Sequence, residues 1–181
     1  MLLAIAALLW VRRGAPEGSY FADGDRASGV FGVLATAPQR MSVELAPNTN
    51  TPLTLGTLSE REVLVEIFPD NADGSWTKHV GLGLWADLFV VAPATAQTIA
   101  KLAHGFSDNM LTATALAARC PLLVCPAMDH DMFVHPATQA NLERLRAYGY
   151  EVMAPGYGAL ASGLVGHGRL PEPGEIFARV R

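Results

Sequence analysis

Continuous apolar runs that end at a proline mark the second half of the chain. Residues 88–92 and 122–125 contain aliphatic, aromatic and β-branched side chains with no charged position, and Pro93 and Pro126 follow them. This pattern is typical of strands that are buried on both faces of a parallel sheet. Residues 150–153, which contain one charged position and stop before Pro155, are predicted as a third strand.

Helical spacing of apolar positions separates these strands. It predicts helices at residues 95–103, 110–119 and 136–148, with Asp108 as the cap of the second helix. The resulting order is strand, helix, helix, strand, helix, strand. It predicts a three-layer α/β domain around a doubly wound parallel sheet.

The first half of the chain has a weaker pattern. Residues 1–11 are apolar over about half the length of a membrane-spanning helix. The charges of a secretory signal would precede such a run, whereas Arg12 and Arg13 follow it. We interpret it as a buried strand or helix, with a signal or anchor as the alternative. Further elements are expected as strands at 31–35 and 41–45, a helix at 53–59, and a strand or helix end at 63–67.

Composition narrows the class of protein. The 181 residues are 50% hydrophobic and 17% charged, which fits a doubly covered sheet or an oligomer. A net charge of −4 and the lack of a basic run give no reason to expect nucleic acid or a membrane surface. Two cysteines, Cys120 and Cys125, lie in or beside an apolar run, so we expect reduced, buried thiols in a cytoplasmic protein.

Small and polar residues follow the predicted strands, where open α/β sheets bind their ligands. The segment Thr95-Ala96-Gln97-Thr98 begins a helix, and its free N–H groups favour an anion or a polar ring edge. An ordinary capping turn would have the same sequence. No G-x-G-x-x-G fingerprint follows a strand, which argues against a standard dinucleotide site.

Three other features each have two interpretations. His79 precedes an apolar helix and is either structural or a general base. Asp129 and Asp131 lie two residues apart, but no His or Cys cluster at ligand spacing accompanies them, so no metal site is expected. His130 fits a loop residue better than a ligand. The glycine-rich stretch that ends at Arg169 is either a lid over an anionic group or a mobile surface loop.

Together, four ordered motifs resemble the homo-oligomeric flavin-containing Cys decarboxylases. They are H-V-G-L-G-L-W-A-D from His79, A-T-A-Q-T from Ala94, P-A-M-D from Pro126, and G-A-L-A-S from Gly158. They are most similar to phosphopantothenoylcysteine decarboxylases, including the decarboxylase half of bifunctional coenzyme A biosynthesis flavoproteins. The resemblance covers residues 51–173, and it implies a flavodoxin-like fold, an FMN cofactor and a cytoplasmic lyase.

The resemblance also assigns roles to individual positions. It makes His79 the catalytic base of FMN-dependent decarboxylation of 4'-phospho-N-pantothenoylcysteine to 4'-phosphopantetheine. It further implies a homotrimer or multiple of trimers, with a phosphopantothenoylcysteine synthetase as a possible partner. The positions matched to FMN contacts are Thr95, Ala96, Gln97, Thr98 and Ala127, and those matched to substrate contacts are Asp129, Ala159, Leu160 and Ala161.

Two departures from the family pattern bear on activity. Ser162 stands where many members have a cysteine that protonates the enethiol intermediate, and a hydroxyl is a far weaker acid than a thiol. Residues 1–50 lack the family's glycine-rich phosphate loop, so we divide the chain into an atypical segment, 1–50, and a flavoprotein domain, 51–181. A frameshift, a rearrangement or a wrongly assigned start is our hypothesis for that segment.

These departures leave a rival function open. The rival is a catalytically inactive or truncated flavoprotein-like subunit that acts only through protein interaction. The serine at position 162 and the missing phosphate loop favour it, whereas His79 and the A-T-A-Q-T segment favour the enzyme. An enzyme that acts on a peptidyl C-terminal cysteine is a third alternative.

Overall fold

The sheet of this protein is six-stranded within the residues that the structure describes. The computed structural model describes residues 6–11, 41–44, 63–64, 67 and 78–180. The sheet strands are β1 (Ala6–Val11), β2 (Met41–Glu44), β3 (Val63–Leu64), β4 (Leu88–Ala94), β5 (Leu122–Pro126) and β6 (Glu151–Val152). Their spatial order is β3-β2-β1-β4-β5-β6.

The predicted parallel sheet is confirmed in its carboxyl-terminal half. Strand β5 lies between β4 and β6 and pairs in parallel with both. The strand predicted at 41–45 is present as β2. Residues 1–11, interpreted as a strand or helix, contain β1, and residues 63–67, interpreted as a strand or helix end, contain β3. The strand expected at 31–35 and the helix expected at 53–59 lie outside the described residues.

Strand β1 runs against its neighbours, which makes the sheet mixed. It pairs antiparallel with β4 from Ala7↔Ala92 to Val11↔Leu88, and antiparallel with β2. Val11 therefore lies beside the start of β4, and the chain leaves β1 at the edge opposite the carboxyl ends of β4 and β5. The carboxyl end of β1 is therefore away from the edge where β4 and β5 end.

Helices cover both faces of the sheet, as a three-layer fold requires. They are α1 (Lys78–Trp85), α2 (Ala96–His104), α3 (Met110–Ala117), α4 (His130–Val134), α5 (Pro136–Ala147) and α6 (Pro173–Val180). A separate antiparallel hairpin consists of β7 (Gly156–Ala159) and β8 (Val165–Arg169). The sequence patterns had not predicted α6 or the strands of this hairpin.

The core follows from the alternation of side chains along β4. Phe89 and Val91 pack into a cluster with residues of α1, α2, α3 and α5 on one face, including Ile99 and Leu142. Val90 points to the opposite face and packs in a second cluster that contains Ile176 of α6. Because β4 has apolar side chains in both directions, it is buried on both faces, as its sequence predicted.

The prediction that Asp108 caps α3 is wrong by one residue. Asn109 is the cap, because its Oδ1 accepts the N–H of Thr112 at 2.8 Å and Thr112 Oγ1 accepts the N–H of Asn109 at 3.3 Å. The Asp108 carboxylate pairs instead with the Lys101 ammonium at 2.8 Å, and the hydrogen bond from Lys101 lowers the pKa of that carboxyl. Both residues are good caps, and the sequence alone does not choose between neighbours.

Both cysteines are free thiols. Cys125 is buried in β5, and this burial raises the pKa of its thiol to about 12. Cys120 is only half-buried, and burial raises its thiol pKa as well. No helix within the described ranges is long and apolar enough to cross a membrane.

Replacing Phe89 by alanine tests the importance of this core. Phe89 is 0% exposed, so Phe89→Ala should lower the free energy of unfolding by about 3–5 kcal/mol through lost burial and a cavity. Urea denaturation measures the change. Phe106→Ala is the matched control, because Phe106 is 60% exposed and its removal should cost about 0.5 kcal/mol or less. Equal losses for the two variants would contradict the placement of Phe89.

Candidate functional site

The carboxyl ends of β4 and β5 bring two of the predicted segments together. Ala94 is the register partner of Pro126, and the N–H of Ala127 donates to the carbonyl of Ala94 at 3.0 Å. The segment 95–98 therefore leaves the sheet directly beside the segment 127–129. This is the edge at which open α/β sheets place ligands.

The first segment forms the N-terminus of α2. Thr95 is its N-cap, and Thr95 Oγ1 accepts the N–H of Thr98 at 3.2 Å. The hydroxyls of Thr95 and Thr98 lie 3.1 Å apart and hydrogen-bond to each other. The N–H groups of Ala96 and Gln97 belong to the first turn, where helix geometry provides no acceptor. The segment is thus a capping turn that also presents donors at the edge of the sheet.

The second segment connects β5 to α4. Ala127 is half-buried, and Asp129 is the N-cap of α4, with its Oδ1 accepting the N–H of Asp131 at 3.4 Å. Asp129 thus has a structural role that its sequence position alone does not reveal. Across the described part of the chain, no three His, Cys, Asp or Glu side chains form a group that could hold a metal ion.

The predicted clamp residues lie at the tip of the hairpin. Ala159 ends β7, Leu160 is half-buried, and Ala161 and Ser162 are exposed. The tip is closed by the N–H of Leu160 donating to the carbonyl of Leu164 at 2.8 Å, while Ser162 Oγ accepts the N–H of Leu164 at 3.4 Å. The stretch interpreted as a lid or a mobile surface loop forms an antiparallel hairpin.

This hairpin is attached to the same edge of the sheet. The N–H of Met128 donates to the carbonyl of Gly168 in β8 at 2.9 Å. Three of the predicted segments therefore meet in one region. Arg169, the candidate anion contact of the lid, is exposed and lies 3.5 Å from the Glu172 carboxylate.

His79 lies in the first turn of α1, which packs against α3. Gly83, one turn later, approaches the end of α3 so closely that a Cβ would lie 2.7 Å from the Ala117 carbonyl. The Nδ1 atom of His79 is buried and has no hydrogen-bond partner within the described ranges. Within those ranges, no hydrogen bond joins His79 to the segments above.

Sequence reasoning missed the contact between the hairpin and the segment 128–130. His130 was interpreted as a loop residue, but its ring lies against Gly166 and its Nδ1 is 3.2 Å from the carbonyl of His167. The spacing of Gly166 and Gly168, two residues apart, was the available signal. Alternate residues of a strand face the same side, so both glycines can admit a neighbouring backbone.

A family model described as Flavoprotein matches residues 35–181. The chain belongs to the flavoprotein family. Among curated relatives, it is 40% identical over 131 residues to a probable phosphopantothenoylcysteine decarboxylase of Streptococcus mutans serotype c (strain ATCC 700610 / UA159). That match covers 71% of this chain and 73% of the relative. The suspected resemblance to this family is therefore confirmed.

Two other relatives are longer proteins. The chain is 55% identical over 130 residues to a cysteine/cysteine sulfinic acid decarboxylase of an unknown prokaryotic organism, covering 72% of this chain and 36% of the relative. It is 46% identical over 126 residues to the coenzyme A biosynthesis bifunctional protein CoaBC of Bacillus subtilis (strain 168), covering 70% and 31%. The aligned part of the chain thus spans about a third of the length of these relatives.

Solved structures of the flavoprotein family agree with the fold. A mutant PPC decarboxylase complexed with pantothenoylaminoethenethiol superimposes with a TM-score of 0.63 at 36% identity, covering 67% of this chain and 70% of that chain. An FMN-dependent cysteine decarboxylase gives a TM-score of 0.59 at 34% identity, covering 71% and 68%. The predicted α/β fold class is confirmed. Among the described strands of the main sheet, β1 is antiparallel to its neighbours and the other pairs are parallel.

Proposed function

We propose that this chain catalyses the FMN-dependent decarboxylation of 4'-phospho-N-pantothenoylcysteine to 4'-phosphopantetheine in coenzyme A biosynthesis. The observation that carries this proposal is the meeting of the A-T-A-Q-T and P-A-M-D motifs at one edge of the sheet, with the hairpin attached beside them. The bond from Ala127 to Ala94 joins the two motifs, and the bond from Met128 to Gly168 attaches the hairpin, whose tip contains the G-A-L-A-S motif. Relatives with the names given above support the same activity.

The residues at this edge fit an FMN ring. The first turn of α2 offers N–H donors from Ala96 and Gln97 to the polar edge of the ring. Ala96 and Ala127 are half-buried and small, so a flat group can approach the backbone closely. The solved cysteine decarboxylase described above is FMN-dependent, which agrees with this fit. When bound, FMN supplies the two-electron oxidation that permits loss of CO2 and returns those electrons to the product.

His79 is the proposed base. Among the described residues, Nδ1 of His79 is buried and has no hydrogen-bond partner, which is costly because its lost hydration is not replaced. A substrate group that donates a hydrogen bond to Nδ1 would remove this cost. His79 therefore accepts a proton from the substrate's cysteinyl group at Nδ1, with Gly83 allowing α1 to pack tightly against α3.

The hairpin tip and the α4 cap would contact the substrate. Ala159, Leu160 and Ala161 cover it and exclude water, while Asp129 lies on the segment below. The Ser162 hydroxyl is exposed at the tip and is the available proton donor to the product. It is a weak donor, since a hydroxyl is a poorer acid than a thiol.

The resemblance also supports proposals about assembly. We propose a homotrimer or a multiple of trimers, as the resemblance implies. We also propose a phosphopantothenoylcysteine synthetase as partner, because the Bacillus subtilis relative is a bifunctional protein of coenzyme A biosynthesis. We propose a cytoplasmic location, consistent with two free thiols. The boundary between segment 1–50 and domain 51–181 stays a prediction.

A second candidate substrate is free cysteine or its sulfinic acid. The relative with 55% identity is named for that activity, and Asp129 provides a specific reason to consider it. A carboxylate beside the substrate repels the substrate carboxylate and attracts an ammonium group. Free cysteine carries an α-ammonium group, whereas the corresponding nitrogen of phosphopantothenoylcysteine is acylated and neutral.

A decarboxylation assay with three substrates tests this function. The purified chain with FMN is incubated with phosphopantothenoylcysteine, cysteine or cysteine sulfinate, and products are measured by mass spectrometry. We expect 4'-phosphopantetheine, and His79→Gln should slow its formation by roughly 100-fold or more through loss of the base. His104→Gln is the matched control, because His104 is exposed at the other end of α2. Turnover of cysteine alone would favour the second candidate, and undiminished activity in His79→Gln would contradict the assigned base.

A cysteine at position 162 should accelerate product formation. Ser162→Cys places a stronger acid at the hairpin tip, so reduction of the intermediate should speed up by roughly tenfold to 100-fold. Single-turnover kinetics can compare the rate of CO2 release with that of 4'-phosphopantetheine formation, and only the latter should change. Ser162→Ala is the control and should show slower product formation. Equal rates for the serine, cysteine and alanine proteins would exclude a proton-donor role at this position.

A further inference from the structure

Strand β8 lies directly on the backbone of the segment 128–130. Gly168 has φ +147°, and a Cβ at this residue would overlap the carbonyl oxygen of Met128. Its own carbonyl accepts the N–H of Met128 at 2.9 Å. Gly166 and Gly168 are both buried, whereas Val165, His167 and Arg169 are exposed. The side of β8 that faces this segment therefore consists of glycines, which leave room for the backbone and side chains of the segment.

The side chain of His130 bridges this contact. A Cβ on Gly166 would lie 2.7 Å from both Cγ and Nδ1 of His130, so the imidazole occupies the space that Gly166 leaves free. Nδ1 of His130 lies 3.2 Å from the carbonyl oxygen of His167. Because a carbonyl can only accept a hydrogen bond, Nδ1 carries the proton and donates it. One side chain thus packs on β8 and hydrogen-bonds to its backbone.

We propose that His130 is a positioning residue that fixes the β7–β8 hairpin over the segment that carries Asp129. His130 follows Asp129 directly in the chain and is the first residue of α4. On its other side, β8 leads back through Leu164 to the tip with Leu160 and Ser162. His130 therefore sets the spacing between two groups of residues that the proposed function assigns to substrate.

The catalytic consequence of this role rests on the proposed function, whereas the structural consequence does not. Losing the bond to His167 gives the hairpin more freedom above the substrate and weakens substrate binding more than the chemical step. KM should rise while kcat stays nearly constant, because no hydrogen bond joins His130 to His79 or Ser162 within the described residues. The N–H of Met128 reports on the hairpin position directly, since its acceptor is Gly168.

Amide hydrogen exchange at Met128, measured on the full chain, tests the inference. In His130→Ala, Met128 should exchange roughly tenfold faster, because one hydrogen bond and the ring packing are lost. His130→Asn should restore exchange to within about threefold of the original protein, since the asparagine amide can donate in place of Nδ1. The exchange of Phe89 in the core should stay unchanged in both variants, which shows that the fold is intact.

His167→Ala is the matched control. It keeps the backbone carbonyl that accepts from His130 and removes only the His167 ring, which packs on Tyr157 within the hairpin, so Met128 exchange and KM should change far less than in His130→Ala. Met128 exchange that is unaltered in His130→Ala, or equally altered in His167→Ala, would overturn the positioning role. Exchange that changes as expected in a protein without decarboxylase activity would support this role while refuting the proposed function.

A double-mutant cycle gives an independent test. Gly166→Ala should accelerate Met128 exchange in the original protein, because the new Cβ meets the His130 ring. In the His130→Ala background the two 2.7 Å contacts with Cγ and Nδ1 are removed and the Cβ of residue 130 lies at 3.0 Å, so the same substitution should have a much smaller effect. Additive effects of the two substitutions would contradict the contact.

Discussion

The parallel pairing of β4 with β5 is the constraint on which the rest of the site depends. Its register runs from Phe89↔Leu122 to Ala94↔Pro126, and the N–H of Ala127 extends it by one bond to Ala94. Both strands are buried on both faces, so their positions are fixed by packing as well as by hydrogen bonds. The start of α2, the segment 127–129 and the attached hairpin all take their places from this pair.

The two buried strands and three of the helices could be predicted because their sequence patterns are local and unambiguous. Residues 88–92 and 122–125 have no polar position, and the helices between them have apolar residues at helical spacing. The direction of β1 could not be predicted, because an apolar run fits either a parallel or an antiparallel neighbour equally well. Only the structure shows that β1 is antiparallel to β4, with Ala7 paired to Ala92.

The site could be predicted only in part, because local sequence patterns do not show which distant segments come together. The motif segments showed which residues to consider, and the structure brings two of them to one edge, where the hairpin that contains the third is attached. The hairpin was missed because Gly166 and Gly168 do not produce the alternation of apolar and polar residues that marks a strand. The contact of His130 with His167 joins residues 37 positions apart, and no local pattern records it. Asp129 belongs to the P-A-M-D motif and is also the N-cap of α4, a role that the motif did not predict.

The central claim is that this edge of the sheet binds FMN. It holds even though residues 1–50 lack the family's phosphate loop and β1 ends at the opposite edge of the sheet. The most direct measurement is the visible absorption spectrum of the purified chain after incubation with FMN and gel filtration. The account predicts a flavin spectrum that travels with the protein at near-stoichiometric occupancy. A folded but colourless protein after the same treatment would contradict it and would favour a family member that acts without flavin chemistry.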